Sequence, residues 1–219
     1  MNKYAIECND VAKQYGHLYA LRHLTINIEV GETVGVLGHN GAGKSTFLKI
    51  LSTHLSPTIG SLKIMNNDVT KSRIEIRKLI GYVGHSSFMY DELTVEENLL
   101  FYGKMFSINY ESLEKKIDEV LDFVDMDRYR YTESKKLSHG LRKRADLARV
   151  FLHSPKIMIF DEPFSGLDKN AIKLFVNGLK SQIGITIIIS SHSFEMLDDV
   201  CKRTLTFSEG SLVKDTKGD

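Results

Sequence analysis

Eight residues constrain this chain more than any other stretch: GHNGAGKS, Gly38 to Ser45. They fit the spacing G-x-x-x-x-G-K-[ST]. They follow a short β-branched run, TVGVLG (33–38), and open an apolar helical pattern, TFLKILSTHL. Strand, glycine-rich loop and helix in that order are the context the spacing requires. The glycines let the main chain wrap tightly, so that successive N–H groups converge at a helix N-terminus, where anions are favoured. Lys44 adds a point charge for the outer phosphates of a nucleotide, and the Ser45 hydroxyl suits Mg²⁺.

Such a loop belongs with a parallel sheet, and two more runs supply one. KIMIFD (156–161) and ITIIIS (185–190) are apolar without alternation, the pattern of strands buried on both faces. Helical patterns alternate with them, which predicts an α/β architecture. The N-terminal part differs: YAIECNDVAKQY and LRHLTINIEVGE alternate apolar with polar residues and predict antiparallel strands. SLKIMNNDV predicts another, with Asn66-Asn67-Asp68 as its turn. From about 85 to 154 the patterns are helical. Thr94-Val95-Glu96-Glu97 reads as a capping box for the helix ENLLFYGKMF. Leu113, Ile117, Val120, Leu121 and Val124 line one face of the next helix, as core packing would require. The expected organisation is one domain over 1–219, with an α/β core from 1–84 and 155–219 and a helical subdomain at about 85–154.

A second acidic element completes the phosphate chemistry. Asp161 ends a buried strand, where its carboxylate can hold Mg²⁺ through the water shell, and Glu162 follows where it can polarise a water. Together with the glycine loop this predicts binding of a nucleoside triphosphate. Lys plus Arg total 29 against 28 for Asp plus Glu, so no global charge draws the chain to nucleic acid. Cys8 and Cys201 have no metal-ligand spacing and suit a reducing compartment. No run approaches the roughly 20 apolar residues of a membrane span. The N-terminus has no signal-like apolar run either, so the expected location is cytosolic unless a partner holds the chain at a membrane. One stretch stays ambiguous at this level: LSHGLRKRADLAR (137–149) reads as a basic patch, an anion site at a helix start, or a solvated helix.

The ordered set of motifs resembles the ATP-binding cassette (ABC) ATPases over essentially all 219 residues. In that resemblance GHNGAGKS is the P-loop, LSHG the signature segment, and IMIFDEP the Mg²⁺ strand with its catalytic glutamate. SGLD (165–168) is the D-loop, and His192 after ITIIIS is the switch histidine. The fold it implies is a P-loop NTPase, a RecA-like parallel-sheet core with an N-terminal antiparallel β subdomain and an inserted helical subdomain. The cofactors it implies are ATP and Mg²⁺. The ATP contacts would be Tyr15, stacking on adenine, and Gly38, His39, Asn40, Gly41, Ala42, Gly43, Lys44, Ser45 and Thr46. Catalysis would fall to Glu162, His192, Lys44 and His85, and the metal to Ser45, Asp161 and His85. Two cassettes would close head to tail, so that Ser138, His139, Gly140 and Leu141 meet the ATP of the other copy. Ser165, Gly166, Leu167 and Asp168 would form the D-loop. Asp168 also suits the N-cap of KNAIKLFVNGL, and Tyr15 also reads as a plain strand-end aromatic.

The implied partners are an integral-membrane permease and a second ATPase subunit, with no nucleic acid, and the implied place is the inner face of the cell membrane. Export is favoured over import, and a soluble cassette of translation or repair is the alternative. Two segments depart from the family. His85 stands where the Q-loop has a Gln, and His139 and Leu141 replace the Gly and Gln of the signature. The run from Tyr82-Val83-Gly84-His85 to ELTVEENLLF is also similar to the ATPase subunit of the cytochrome c-maturation haem exporter. Phe88, Met89 and Tyr90 lie where this family docks its membrane subunit, and read equally as ordinary packing.

Overall fold

Alternating burial makes the first two long strands into a hairpin. β1 (Tyr4–Tyr15) and β2 (Leu18–Glu29) pair antiparallel across a turn at Gly16, whose φ is +57°. Apolar residues Ile6, Cys8, Leu21, Leu24, Ile26 and Ile28 turn inward. Bulges interrupt the register, one of them between Cys8 and Val11. This computed structural model describes residues 3–167, 169–180 and 183–216, apart from the side chains of 169–171 and 174. Asp168 therefore lies outside the described residues.

β3 (Thr33–Leu37) leads into α1 (Lys44–Leu51), and β4 (Ile59–Ile64) returns beside β1. The turn after β4 sits one residue earlier than expected. Met65 and Asn66 carry the positive φ values, +48° and +65°, that a tight hairpin turn demands. Asn67 and Asp68 thereby become a two-residue strand, β5 (Asn67–Asp68), paired with Ile64 and Lys63. The Asn67 amide fastens the turn by donating to the Met65 carbonyl at 3.0 Å. The first sheet thus runs β2-β1-β4-β5. A short helix unmarked by any sequence signal, α2 (Arg73–Leu79), follows.

The second sheet has six strands. β6 (Ile80–Val83), β7 (Ile157–Phe160), β8 (Thr186–Ser191), β9 (Arg203–Ser208) and β10 (Ser211–Asp215) join β3 in the order β10-β9-β3-β8-β7-β6. β3 runs parallel to both β8 and β9, and β8 parallel to β7. Every residue of β7 and β8 is buried, as their unbroken apolar runs require. Phe47 of α1 stacks on Phe207 of β9 with ring centroids 5.4 Å apart. α7 (Glu195–Asp198) follows β8 and buries Leu197.

The chain divides into two compact units: residues 1–82, 156–163 and 183–219, and residues 83–155 with 164–182. The second unit is helical. α3 (Val95–Met105), α4 (Tyr110–Phe123), α5 (His139–Leu152) and α6 (Lys169–Lys180) belong to it. The capping box forms as expected: the Thr94 hydroxyl accepts from the Glu97 N–H, and the Glu97 carboxylate accepts from the Thr94 N–H at 2.8 Å. α4 buries Leu113, Ile117, Val120 and Leu121, the expected face. α3 and α4 meet where Gly103 faces Leu113; a Cβ at Gly103 would lie 2.3 Å from a Leu113 methyl. Among the described residues no helix is long and apolar enough to cross a membrane.

Candidate functional site

In the first unit the glycine loop between β3 and α1 is held by its surroundings. Gly38 has φ +153°, and a Cβ there would lie 2.5 Å from the Phe207 carbonyl oxygen. Gly43 has φ +105°, and a Cβ there would meet the Ala20 carbonyl oxygen at 2.8 Å. Only glycine fits either place. The loop curls around Lys44, whose side chain is buried and whose ammonium donates to the carbonyls of Gly38 (2.6 Å) and His39 (3.3 Å). His39, Asn40 and Gly41 stay exposed, and Ala42 is buried.

Two strand ends bring the acidic groups to this loop. Asp161, just past β7, is buried and accepts from the Ser45 hydroxyl at 3.1 Å. Burial pushes the Tyr82 phenol far above its usual value, and the negative charge of Asp161 adds to the rise. Glu162 adopts φ +51°, an uncommon conformation for a residue with a side chain and one that concentrates at functional sites. One of its oxygens lies 3.5 Å from the Lys44 ammonium, and the other 3.0 Å from Nδ1 of His192 at the end of β8. Ser190, one turn of strand earlier, completes the group. Its hydroxyl donates to Asp161 at 2.7 Å and accepts from the Glu162 N–H at 2.9 Å. A hydroxyl and a carboxylate side by side are hard oxygen donors, the set that suits Mg²⁺. Tyr15 ends β1 half-exposed, with the Lys13 ammonium 5.2 Å from its ring centroid.

In the second unit α5 begins at the signature-like segment. Ser138 is its N-cap and accepts from the Leu141 N–H at 3.3 Å. The His139 ring lies against Gly166, where a Cβ would be 2.5 Å from its Cδ2. Lys143 is buried and donates to the Ser165 carbonyl at 3.2 Å, so the start of α5 and the segment 165–167 are joined. Ser138, His139, Gly140, Leu141, Gly166 and Leu167 line a cavity of about 500 Å³. His85 lines another, of about 310 Å³, with His139, Arg142, Lys143 and Asp146. The basic run resolves into internal pairs: Arg142 with Asp91, Arg144 with Asp125, and Arg149 with Asp146.

Residues 21–165 match the sequence profile of the family described as ABC transporter. The chain belongs to the ABC transporter ATPases. It is 34% identical over 217 residues to the bacitracin transport ATP-binding protein BcrA of Bacillus licheniformis, covering 98% of this chain and 70% of that protein. It is 33% identical over 208 residues to a Nod factor export ATP-binding protein of Rhizobium etli, covering 94% of this chain and 66% of the relative. A dimeric bacterial ABC transporter cassette superposes with a TM-score of 0.89 at 26% identity, over 96% of this chain and 97% of the other. The same cassette in a post-hydrolysis state bound to ADP and Pi superposes with a TM-score of 0.85.

This ABC cassette therefore binds and hydrolyses ATP as the ATPase subunit of a transporter. The expected fold class is present: a mainly parallel sheet, an antiparallel sheet and helices, as in the ABC cassettes it superposes on. Lys44, Ser45, Asp161, Glu162 and His192 come together in the first unit: Ser45 bonds Asp161, and Glu162 meets both Lys44 and His192. His85, Ser138, His139, Gly140, Leu141, Ser165, Gly166 and Leu167 belong to the second unit. Ser190 was missed in the sequence. A Ser-Ser pair closing an apolar strand before His192 was its one signal, and serines at strand ends more often serve the next turn.

Proposed function

We propose that this cassette drives a two-component exporter, working head to tail with a second ATPase subunit beneath an integral-membrane permease on the cytoplasmic face. The named relatives support that reading, since one carries bacitracin transport and another Nod factor export in its name. They favour it over a soluble cassette of translation or repair. The reading names no cargo, and the short likeness to the haem exporter adds none. The whole chain acts as one cassette.

The observation that carries the reading is Glu162, flanked by Lys44 on one oxygen and His192 on the other. In it Glu162 is the general base that takes a proton from water as the γ-phosphate leaves ADP, and His192 orients the pair. Residues 38–46 bind the phosphates, with Lys44 neutralising their charge, and Tyr15 stacks on adenine. Ser45 and Asp161 would hold Mg²⁺, which when bound neutralises phosphate charge. His85 takes the place of the family's Q-loop Gln. Ser138, His139, Gly140 and Leu141 open α5 at its positive dipole end, a receptor for the phosphate of the partner's ATP. Ser165, Gly166, Leu167 and Asp168 form the D-loop.

Replacing Glu162 by Gln tests the assignment. ATP binding should persist, phosphate release should fall roughly 10²-fold or more, and an ATP-bound dimer should accumulate on size-exclusion chromatography. Turnover close to that of the parent chain would reject Glu162 as the base.

A further inference from the structure

Away from Glu162, α5 carries a buried ion pair. Asp146 and Arg149 stand one turn apart, with side chains only 2% and 8% exposed and Nε 2.6 Å from Oδ1. The pair reaches beyond its own helix. The second oxygen of Asp146 accepts from the Phe88 N–H at 3.2 Å. The Arg149 guanidinium lies 5.2 Å from the Phe88 ring centroid and 5.1 Å from that of Tyr102. Tyr102 in turn donates its hydroxyl to the Phe88 carbonyl at 2.6 Å.

The same treatment continues through the segment. The Met89 N–H donates to the Ser87 hydroxyl at 3.1 Å, and the Met89 carbonyl accepts from Arg142 at 3.1 Å. Asn98 of α3, fully buried, accepts from the Tyr90 N–H at 2.7 Å and donates to the Tyr90 carbonyl at 3.0 Å. Each backbone N–H and C=O of Phe88, Met89 and Tyr90 is thus bonded to a side chain, most of them from α3 and α5. This segment belongs to no helix or strand, yet its shape is dictated. It turns outward an aromatic face: Tyr90 and Phe101 are 51% and 42% exposed, with their rings edge to face at 5.0 Å.

We propose that the Asp146–Arg149 pair is a positioning element that fixes residues 88–90 to α5, so that the aromatic face moves as one piece with the helix whose first turn carries Ser138 to Leu141. The inference rests on the reading that this first turn meets the ATP of a second copy and, of the two readings of Phe88, Met89 and Tyr90, on the one in which they face the permease. A charged pair suits such a task. Buried ion pairs add little stability over apolar packing of equal volume, but separating their partners is costly, so they favour two discrete arrangements over a gradual slide. Asp146 is the hinge of the arrangement because it holds both Arg149 and the Phe88 amide. Arg142, Lys143, Arg144, His85 and His139 supply the other charged or titratable groups on α5 and around the adjoining cavity.

The test is hydrogen exchange on the full chain carrying Glu162→Gln, with and without Mg-ATP. In that parent, ATP should change protection both at the first turn of α5 and at the amides of 88–90. Adding Asp146→Asn keeps the shape and removes the charge. Exchange at the Phe88 amide should then rise roughly tenfold or more, as expected for loss of a charge-assisted bond. The ATP response at 88–90 should disappear while that at α5 persists, a separation that general destabilisation would not produce. Unchanged protection and an unchanged ATP response at 88–90 in Asp146→Asn would overturn the proposal. Should Asp146→Asn fail to fold, Arg149→Lys keeps the charge but loses the planar stack; it should show the same separation, and parental behaviour would overturn the proposal. A parent that forms no dimer with ATP would count against the functional reading alone, because the ATP-free difference at Phe88 tests the positioning role by itself.

Discussion

Ser190 shows how one hydroxyl can organise two acidic residues. It donates to Asp161 and accepts from the Glu162 N–H, so it ties the carboxylate beside Ser45 to the strained backbone of the next residue. Ser190→Ala removes both bonds inside a buried site. We expect stability to fall by about 1–2 kcal/mol and kcat by roughly tenfold, with ATP affinity little changed. Phosphate release and nucleotide titration check this, and an unaltered kcat would rule out the positioning role of Ser190. At this scale the sequence was informative where chemistry demands a fixed order of residues, as with Lys44, Asp161, Glu162 and His192. It was silent where the partner is remote in the chain. Arg142 finds Asp91, and Arg149 finds rings at 88 and 102, and no local pattern announces either.

Among the elements, those with a complete local signal were legible. Unbroken apolar runs marked β3, β7 and β8, and the capping box marked the start of α3. The turn after β4 was misplaced by one residue because nothing in the composition of MNND says that Met65 will take a positive φ. α2 went unforeseen because it buries only Ile76 and so shows no periodic face. The contact of α3 with α4 at Gly103 was likewise invisible, since a glycine in a helix reads as a weakness until its neighbour is known. Gly103→Ala should gain helix propensity of about 1 kcal/mol but crowd Leu113, at a cost of about 1–3 kcal/mol. The net expectation is a loss of up to about 2 kcal/mol in denaturant unfolding. Adding Leu113→Ala should make the glycine substitution neutral or favourable; a loss that persists in the double variant would refute the crowding.

At the scale of the molecule, the chain leaves the first unit after residue 82 and again after Pro163, immediately past the Asp161–Glu162 pair. Both cysteines lie in the first unit, and burial pushes each thiol up to about 12. In the native chain at pH 8 neither should react appreciably with a soluble thiol reagent, and both should react once it unfolds. The rate of labelling then reports opening of that unit. The sign of the pH effect follows. Below the free-thiol value of 9.0 both states keep the proton and the thiols are neutral to stability. Between 9.0 and about 12 only the unfolded chain ionises, so stability declines by about 1.4 kcal/mol per pH unit for each thiol. Cys8→Ala should flatten that decline by half, measured by urea unfolding at pH 8 and pH 10; fast native labelling or an equal decline would contradict the burial of Cys8.

The segment 88–90 has a further consequence. Its main chain is gripped by side chains from α3 and α5, and Met89 is turned inward, which leaves the Tyr90 ring as its most exposed part. Exchange of that ring for another leaves the scaffold beneath it untouched. If, as proposed, this surface meets the permease, substitutions there would alter which membrane companion is recognised while the ATP chemistry stays unchanged.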